Sequence, residues 1–145
     1  MGKYVGSGDR KTLRKTINLL LWWGVGLSAI FSLVYLGFGR LLLGLFTDKP
    51  DLVNLAMVFM AWTVAAPVIN GICFVWDGIF IGATATATMR NSMIIATVAV
   101  FLPVYYLTWQ TLGNHALWLA MLAYMIARGV TLWVAYARGR MLATQ

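Results

Sequence analysis

The sequence predicts an all-α integral membrane protein, a bundle of four transmembrane helices. Three observations carry this. Of the 145 residues, 61% are hydrophobic and only 10% are charged; a soluble domain carries about 25%. Mean hydropathy is +0.81. Four apolar runs each approach or exceed the ~20 helical residues that cross a ~30 Å bilayer core. A water-soluble globule is excluded on these grounds. So is a nucleic-acid module, despite the net charge of +7, because the basic residues sit mostly at the chain ends.

The first run covers residues 17–38 and holds no charge. Residues 1–16 before it form a basic link, and they do not read as a signal peptide. The charged segment and the apolar run are both too long, and no small-residue cleavage site follows. Residues 41–46 are apolar and are expected to lie along the interface. Asp48-Lys49-Pro50-Asp51 marks a helix start, with proline in the first turn. The second run, residues 52–82, holds one charge, Asp77. Residues 83–88 alternate alanine and threonine and read as a turn. The third run, residues 91–109, contains Pro103, which bends a membrane helix without ending it. The fourth, residues 116–137, contains Arg128. Trp109 and Trp118 flank the connection at 110–115 as interfacial anchors. Domain organisation is therefore a basic link followed by a single membrane bundle over 17–145.

Charge distribution orients the bundle. Four crossings leave both termini on one side, with Lys3, Arg10, Lys11, Arg14, Lys15, Arg90, Arg138 and Arg140; the other side has Arg40 and Lys49. Eight against two places both ends in the cytoplasm.

Little catalytic chemistry is available. There is no glutamate, and the acids are Asp9, Asp48, Asp51 and Asp77; Cys73 and His115 are the one cysteine and one histidine. Paired carboxylates, nucleophile–base pairs and clustered metal ligands all lack their parts. The sequence implies no enzyme, no cofactor and no metal.

The second helix carries the candidate site. Thr63, Asn70, Asp77 and Thr84 recur every seven residues, a spacing that drifts only ~20° on a straight helix. Pro67 lies close to this stripe. Two readings of Asp77 stand side by side. It lines a cavity and binds a cation, a proton or a cationic substrate, with Asn70, Thr63 and Pro67 along the same pathway; or it is a structural carboxylate within the bundle. Counted from the cytoplasmic helix ends, Asp77 and Arg128 share a depth of ~14 Å, so they are expected to pair. Arg128 alone could instead snorkel to the headgroups. Gly78 and Gly82 form a G-x-x-x-G pattern suited to helix packing. His115 reads as a helix-start or interface residue, with a pH-sensitive gate as the sharper alternative.

These residues also carry a resemblance. Val75-Trp76-Asp77-Gly78-Ile79-Phe80-Ile81-Gly82-Ala83-Thr84, followed by Met89-Arg90-Asn91-Ser92-Met93, resembles the DinF-like branch of the multidrug and toxic compound extrusion (MATE) transporters. Val5-Gly6-Ser7-Gly8-Asp9-Arg10-Lys11 is similar to the family's cytoplasmic G-x-G-D link. Gly113-Asn114-His115-Ala116-Leu117-Trp118-Leu119-Ala120, with Arg128-Gly129 beyond, is similar to its last helix. Ala85 and Thr88 depart from the branch pattern, which implies an arginine and a glutamate there.

The resemblance implies a twelve-helix antiporter of the bacterial plasma membrane. It would expel organic cations and amphipathic compounds in exchange for protons or sodium ions, by two repeats rocking about a central cavity. This chain resembles the last four of the twelve helices. It is therefore expected to be a C-terminal piece, through an internal Met1 or a truncated gene, and not to transport alone. Its partners would be the lipid bilayer and either the missing N-terminal lobe or another membrane chain. Two alternatives remain open: a homodimeric small multidrug exporter, although those resemble chains with a glutamate in the first helix, and an assembly subunit docking through the Gly78–Gly82 face.

Overall fold

The computed structural model describes residues 10–139. The glycine-rich part of the basic link (residues 1–9) and Arg140 lie outside them. Among the described residues the fold is all-helical, without strands, and four stretches are long and apolar enough to cross a membrane: Lys11–Phe46, Met60–Gly82, Thr86–Leu112 and Asn114–Ala137.

Helix α1 runs unbroken over Arg10–Phe46, 37 residues. It extends past the expected apolar run at both ends, and residues 41–46 continue it as helix. Nothing in that stretch is a proline, and Gly37, Gly39 and Gly44 alone do not stop a helix. Thr47 to Lys49 then reverse the chain. Lys49 is extended at φ −87° and ψ 111°, and Pro50 opens α2 (Pro50–Val58). Asp51 lies in its first turn, where a carboxylate suits the helix dipole.

The second apolar run is divided. α2 ends at Val58 and α3 spans Met60–Gly82, with Phe59 between them at φ −95° and ψ 1°. Phe59 N–H bonds the Ala56 carbonyl at 3.0 Å, and its own carbonyl accepts from Trp62 N–H at 3.0 Å. Apolar residues stand on both sides of Phe59, so the pattern alone gave no sign of the break.

α3 ends in a Schellman motif. Ala85 N–H reaches the Phe80 carbonyl at 3.0 Å and Thr84 N–H reaches Ile81 at 2.9 Å. Thr84 occupies the left-handed position at φ 59°, where glycine is usual. Ala85 and Phe80 are both buried in the core that the motif closes.

The third span consists of α4 (Thr86–Ala96), a π-helical turn over Thr97–Phe101, and α5 (Leu102–Leu112). Leu102 N–H reaches back to the Thr97 carbonyl, the five-residue step of a π turn. Pro103 follows it directly, where a proline lacks the N–H of a regular turn. Gly113 alone joins α5 to α6 (Asn114–Ala137), at φ 53° and ψ −126°.

The core lies where α1 begins, α3 ends and α6 ends. Leu13 and Ile17 pack there with Trp76, Ile79, Phe80, Ala83, Ala85, Leu132 and Ala135. Dispersion contacts hold such a cluster, because lipid is as apolar as the core.

Candidate functional site

The site is built on α3. Helix α1 approaches it closely through small residues. A Cβ added at Gly71 would overlap the Ser28 hydroxyl, and one at Gly24 would overlap Val75 Cγ2. Pro67 offers no N–H to the Thr63 carbonyl four residues back. One residue along, the Val64 carbonyl accepts a hydrogen bond from Ser32 Oγ at 2.6 Å. α1 thus supplies a polar partner beside the weak point of α3, as bilayer depth demands. Gly24, Ser28 and Ser32 recur every four residues. That small-residue spacing was a readable signal for the α1–α3 contact.

One turn before the end of α3, Asp77 meets α6. Arg128 Nη2 donates to Asp77 Oδ2 at 2.6 Å, with side chains 6% (Arg128) and 11% (Asp77) exposed. The Arg128 guanidinium also lies over the Tyr124 ring, 5.6 Å from its centroid, a cation–π distance. Asp77 Oδ1 and Arg128 Nε are buried without a hydrogen-bond partner among the described residues. The contact is therefore a single bond, short of the two-pronged fork an arginine can make.

The backbone around Arg128 is tied to α4. Thr131 Oγ1 donates toward the Ala127 and Arg128 carbonyls, each at 2.9 Å, and Ser92 Oγ lies 2.5 Å from Thr131 Oγ1. Ser92 thereby docks α4 against the α6 turn that holds the guanidinium. An apolar groove of about 340 Å³ runs alongside, lined by Ile72, Cys73 and Trp76 of α3 and by Met125, Gly129 and Trp133 of α6. Neither Asp77 nor Arg128 lines it.

The other stripe residues are dispersed. Thr63 Oγ1 bonds the Phe59 carbonyl of its own helix at 3.4 Å. Asn70 Oδ1 is buried and unpartnered among the described residues. Thr84 leaves the stripe, because its left-handed backbone ends the helix and its hydroxyl bonds the Ala83 carbonyl at 2.7 Å. No hydrogen bond joins Thr63, Asn70 and Asp77 to one another. Gly78 is exposed, and a Cβ there would meet nothing within 4 Å. Close packing inside the chain falls on Gly24, Gly39 and Gly71 instead.

At the far end of α3 stands an aromatic cluster. Trp62 Nε1 donates to His115 Nδ1 at 2.9 Å. The Phe59 ring lies 4.7 Å from the His115 ring and 6.3 Å from Trp118, on which it stacks. Trp118 thus turns toward the bundle, while Trp109 is 54% exposed.

Apolar spans around a buried ion pair define a multi-pass helical membrane protein. The chain belongs to the MatE family, whose model matches residues 1–107. It is similar to DNA damage-inducible protein F of Escherichia coli (strain K12), 40% identical over 111 residues, which are 77% of this chain and 24% of that protein. It is also similar to Protein DETOXIFICATION 43 of Arabidopsis thaliana, 30% identical over 89 residues (61% of this chain, 16% of the relative). The Uncharacterized transporter YisQ of Bacillus subtilis (strain 168) is 30% identical over 64 residues (44% of this chain, 14% of the relative). The chain spans no more than about a quarter of the length of these relatives. No solved structure matches it significantly. The family match ends before α6, so Arg128 lies beyond it.

Proposed function

We propose that this chain is the C-terminal part of a cation-coupled exporter of organic cations and amphipathic compounds. It would act in the bacterial inner membrane with both termini in the cytoplasm. The observation that carries this reading is the buried, singly bonded Asp77–Arg128 pair on a helix that carries Pro67 in its interior. Charge at such depth is costly and marks ion or substrate pathways by default. In this reading Asp77 serves the pathway with Asn70, Thr63 and Pro67 above it, and Arg128 holds it while no cation is bound. Protons or sodium ions would be the coupling ions. Alternating access needs two repeats around one cavity, so the four helices would not transport without the rest of the carrier.

The test uses everted membrane vesicles and ethidium extrusion. Three proteins are compared: the chain alone, the E. coli relative with its matching segment replaced by this chain, and that chimera carrying Asp77→Asn. With transport expressed per inserted protein, the expected pattern is no transport by the chain alone, ion-dependent transport by the chimera, and loss of ion dependence on substitution. Unchanged coupling in the variant would overturn the assignment of Asp77.

A second reading rests on Gly78, which faces open space. A small residue on an exposed membrane-helix face suits close approach by another helix. The chain would then be an assembly subunit docking through Gly78 and Gly82. A co-purifying membrane partner, lost on Gly82→Leu, would favour it.

A further inference from the structure

The fold gathers basic side chains from distant parts of the sequence at one end of the bundle. α1 begins at that end, α3 ends there, α4 begins there and α6 ends there. Leu13 and Ile17 of α1, Ala83 and Ala85 of the turn, and Ala135 of α6 pack together and fix this arrangement. Leu13 and Ile17 are only 3% and 2% exposed, so the first turns of α1 are docked and not free. Around them Lys11, Arg14 and Lys15 of α1, Arg90 of α4 and Arg138 just past α6 are all exposed.

No carboxylate compensates these charges among the described residues. Asp77 is bonded to Arg128 inside the bundle. Asp48 and Asp51 lie beyond the other end of α1, where Arg40 and Lys49 balance them. Among the described side chains, one end is therefore neutral and the other carries five cations with no carboxylate partner. Like charges held together on docked helices repel, and an anionic partner would relieve that repulsion.

Exposed apolar side chains follow the cations along each of the three helices. Leu19, Leu20, Trp22 and Trp23 are exposed on α1 below its basic turns, Ile94 and Ile95 below Arg90, and Trp133 below Arg138. A soluble anion would use only the charges. A molecule with an anionic head and apolar tails uses both surfaces. We propose that this end is a collar for anionic phospholipid headgroups, which tie α1, α4 and α6 together. Charge bias alone sets only which side of the membrane the segment faces; the contribution of three separate helices to one rim is what makes the lipid a clamp. The proposal is independent of transport and holds if the exporter reading fails.

The test is spin-label lipid selectivity with the full chain in phosphatidylcholine vesicles. Labelled phosphatidylglycerol is compared with labelled phosphatidylcholine in the protein-restricted population. Wild-type protein should prefer phosphatidylglycerol by at least about twofold, as expected for basic residues near an anionic surface. K11Q/R14Q/K15Q/R90Q/R138Q should bring the ratio to one, while R40Q/K49Q should leave it unchanged. If the fivefold variant does not fold, K11Q/R14Q/K15Q alone should lower the ratio. Equal association of both lipids with the wild type would overturn the proposal. So would an equal loss in R40Q/K49Q, or displacement of the lipid by excess free glycerol phosphate, which would mark a soluble-anion site.

Discussion

Arg128 Nη2 and Asp77 Oδ2 lie 2.6 Å apart between α6 and α3, and neither side chain has a second charged partner. Breaking such a pair from one side leaves an uncompensated charge, at about 3–5 kcal/mol. Removing both charges does not. Asp77→Asn and Arg128→Gln should each sharply lower the amount of inserted, protease-resistant protein, and the double variant should recover most of it. Membrane fractionation with limited proteolysis reads this directly. Failure of the double variant to recover would show that the two residues act separately.

The α1–α3 contact depends on the absence of a side chain at Gly71. Its Cβ would overlap Ser28, whereas one at Gly78 would meet nothing. Gly71→Leu should force the helices apart and destabilise the chain by about 1–3 kcal/mol. Gly78→Leu should be nearly silent in the isolated chain. Denaturant titration in micelles, followed by circular dichroism, distinguishes the two. Equal loss from both would mean that Gly78 packs against another helix.

Histidine 115 accepts the Trp62 indole proton at 2.9 Å. His115→Phe keeps an aromatic ring against Phe59 but removes the acceptor. An orphaned indole N–H costs about 1–3 kcal/mol when buried. The variant should lose stability in that range, with a changed tryptophan emission maximum. The Trp62→Phe background should absorb most of the loss. An unchanged spectrum would argue that Trp62 finds water or lipid instead.

Thr84 sits in the left-handed position of the Schellman motif. Thr84→Gly should stabilise the turn, since a β-branched residue there carries about 1–2 kcal/mol of strain. The lost hydroxyl bond to Ala83 is local and should not reverse the sign. Thermal unfolding in detergent checks it; a destabilised variant would assign the hydroxyl a role outside the turn.

Class and span number were legible because bilayer thickness imposes a length and a composition on every crossing segment. Lys49 and Pro50 open α2 where proline chemistry puts a helix start. The break at Phe59 was not legible: apolar residues flank it, and it is stabilised by rings from α6 that sequence spacing does not bring near. Thr84 followed the heptad stripe on paper, but it lies past the last helical turn, where the stripe no longer exists. The shared depth of Asp77 and Arg128 follows from helical rise alone; which atoms meet depends on side-chain packing. The same limit hid Ser32, whose bond to Val64 matters only because α1 crosses α3 beside Pro67.

The π turn at Thr97–Phe101 has one more consequence. It admits an extra residue into a single turn, which shifts the phase of everything after it by about 100° relative to an uninterrupted α-helix. The ladder of Phe101, Tyr105 and Trp109, with neighbouring centroids 6.2 Å and 5.8 Å apart, owes its direction to that offset. Phe101 thereby meets edge-on the Tyr124 ring, the same ring that underlies Arg128. Removing one residue between 97 and 101 would leave the span long enough to cross the bilayer, yet it would swing the whole ladder away from α6.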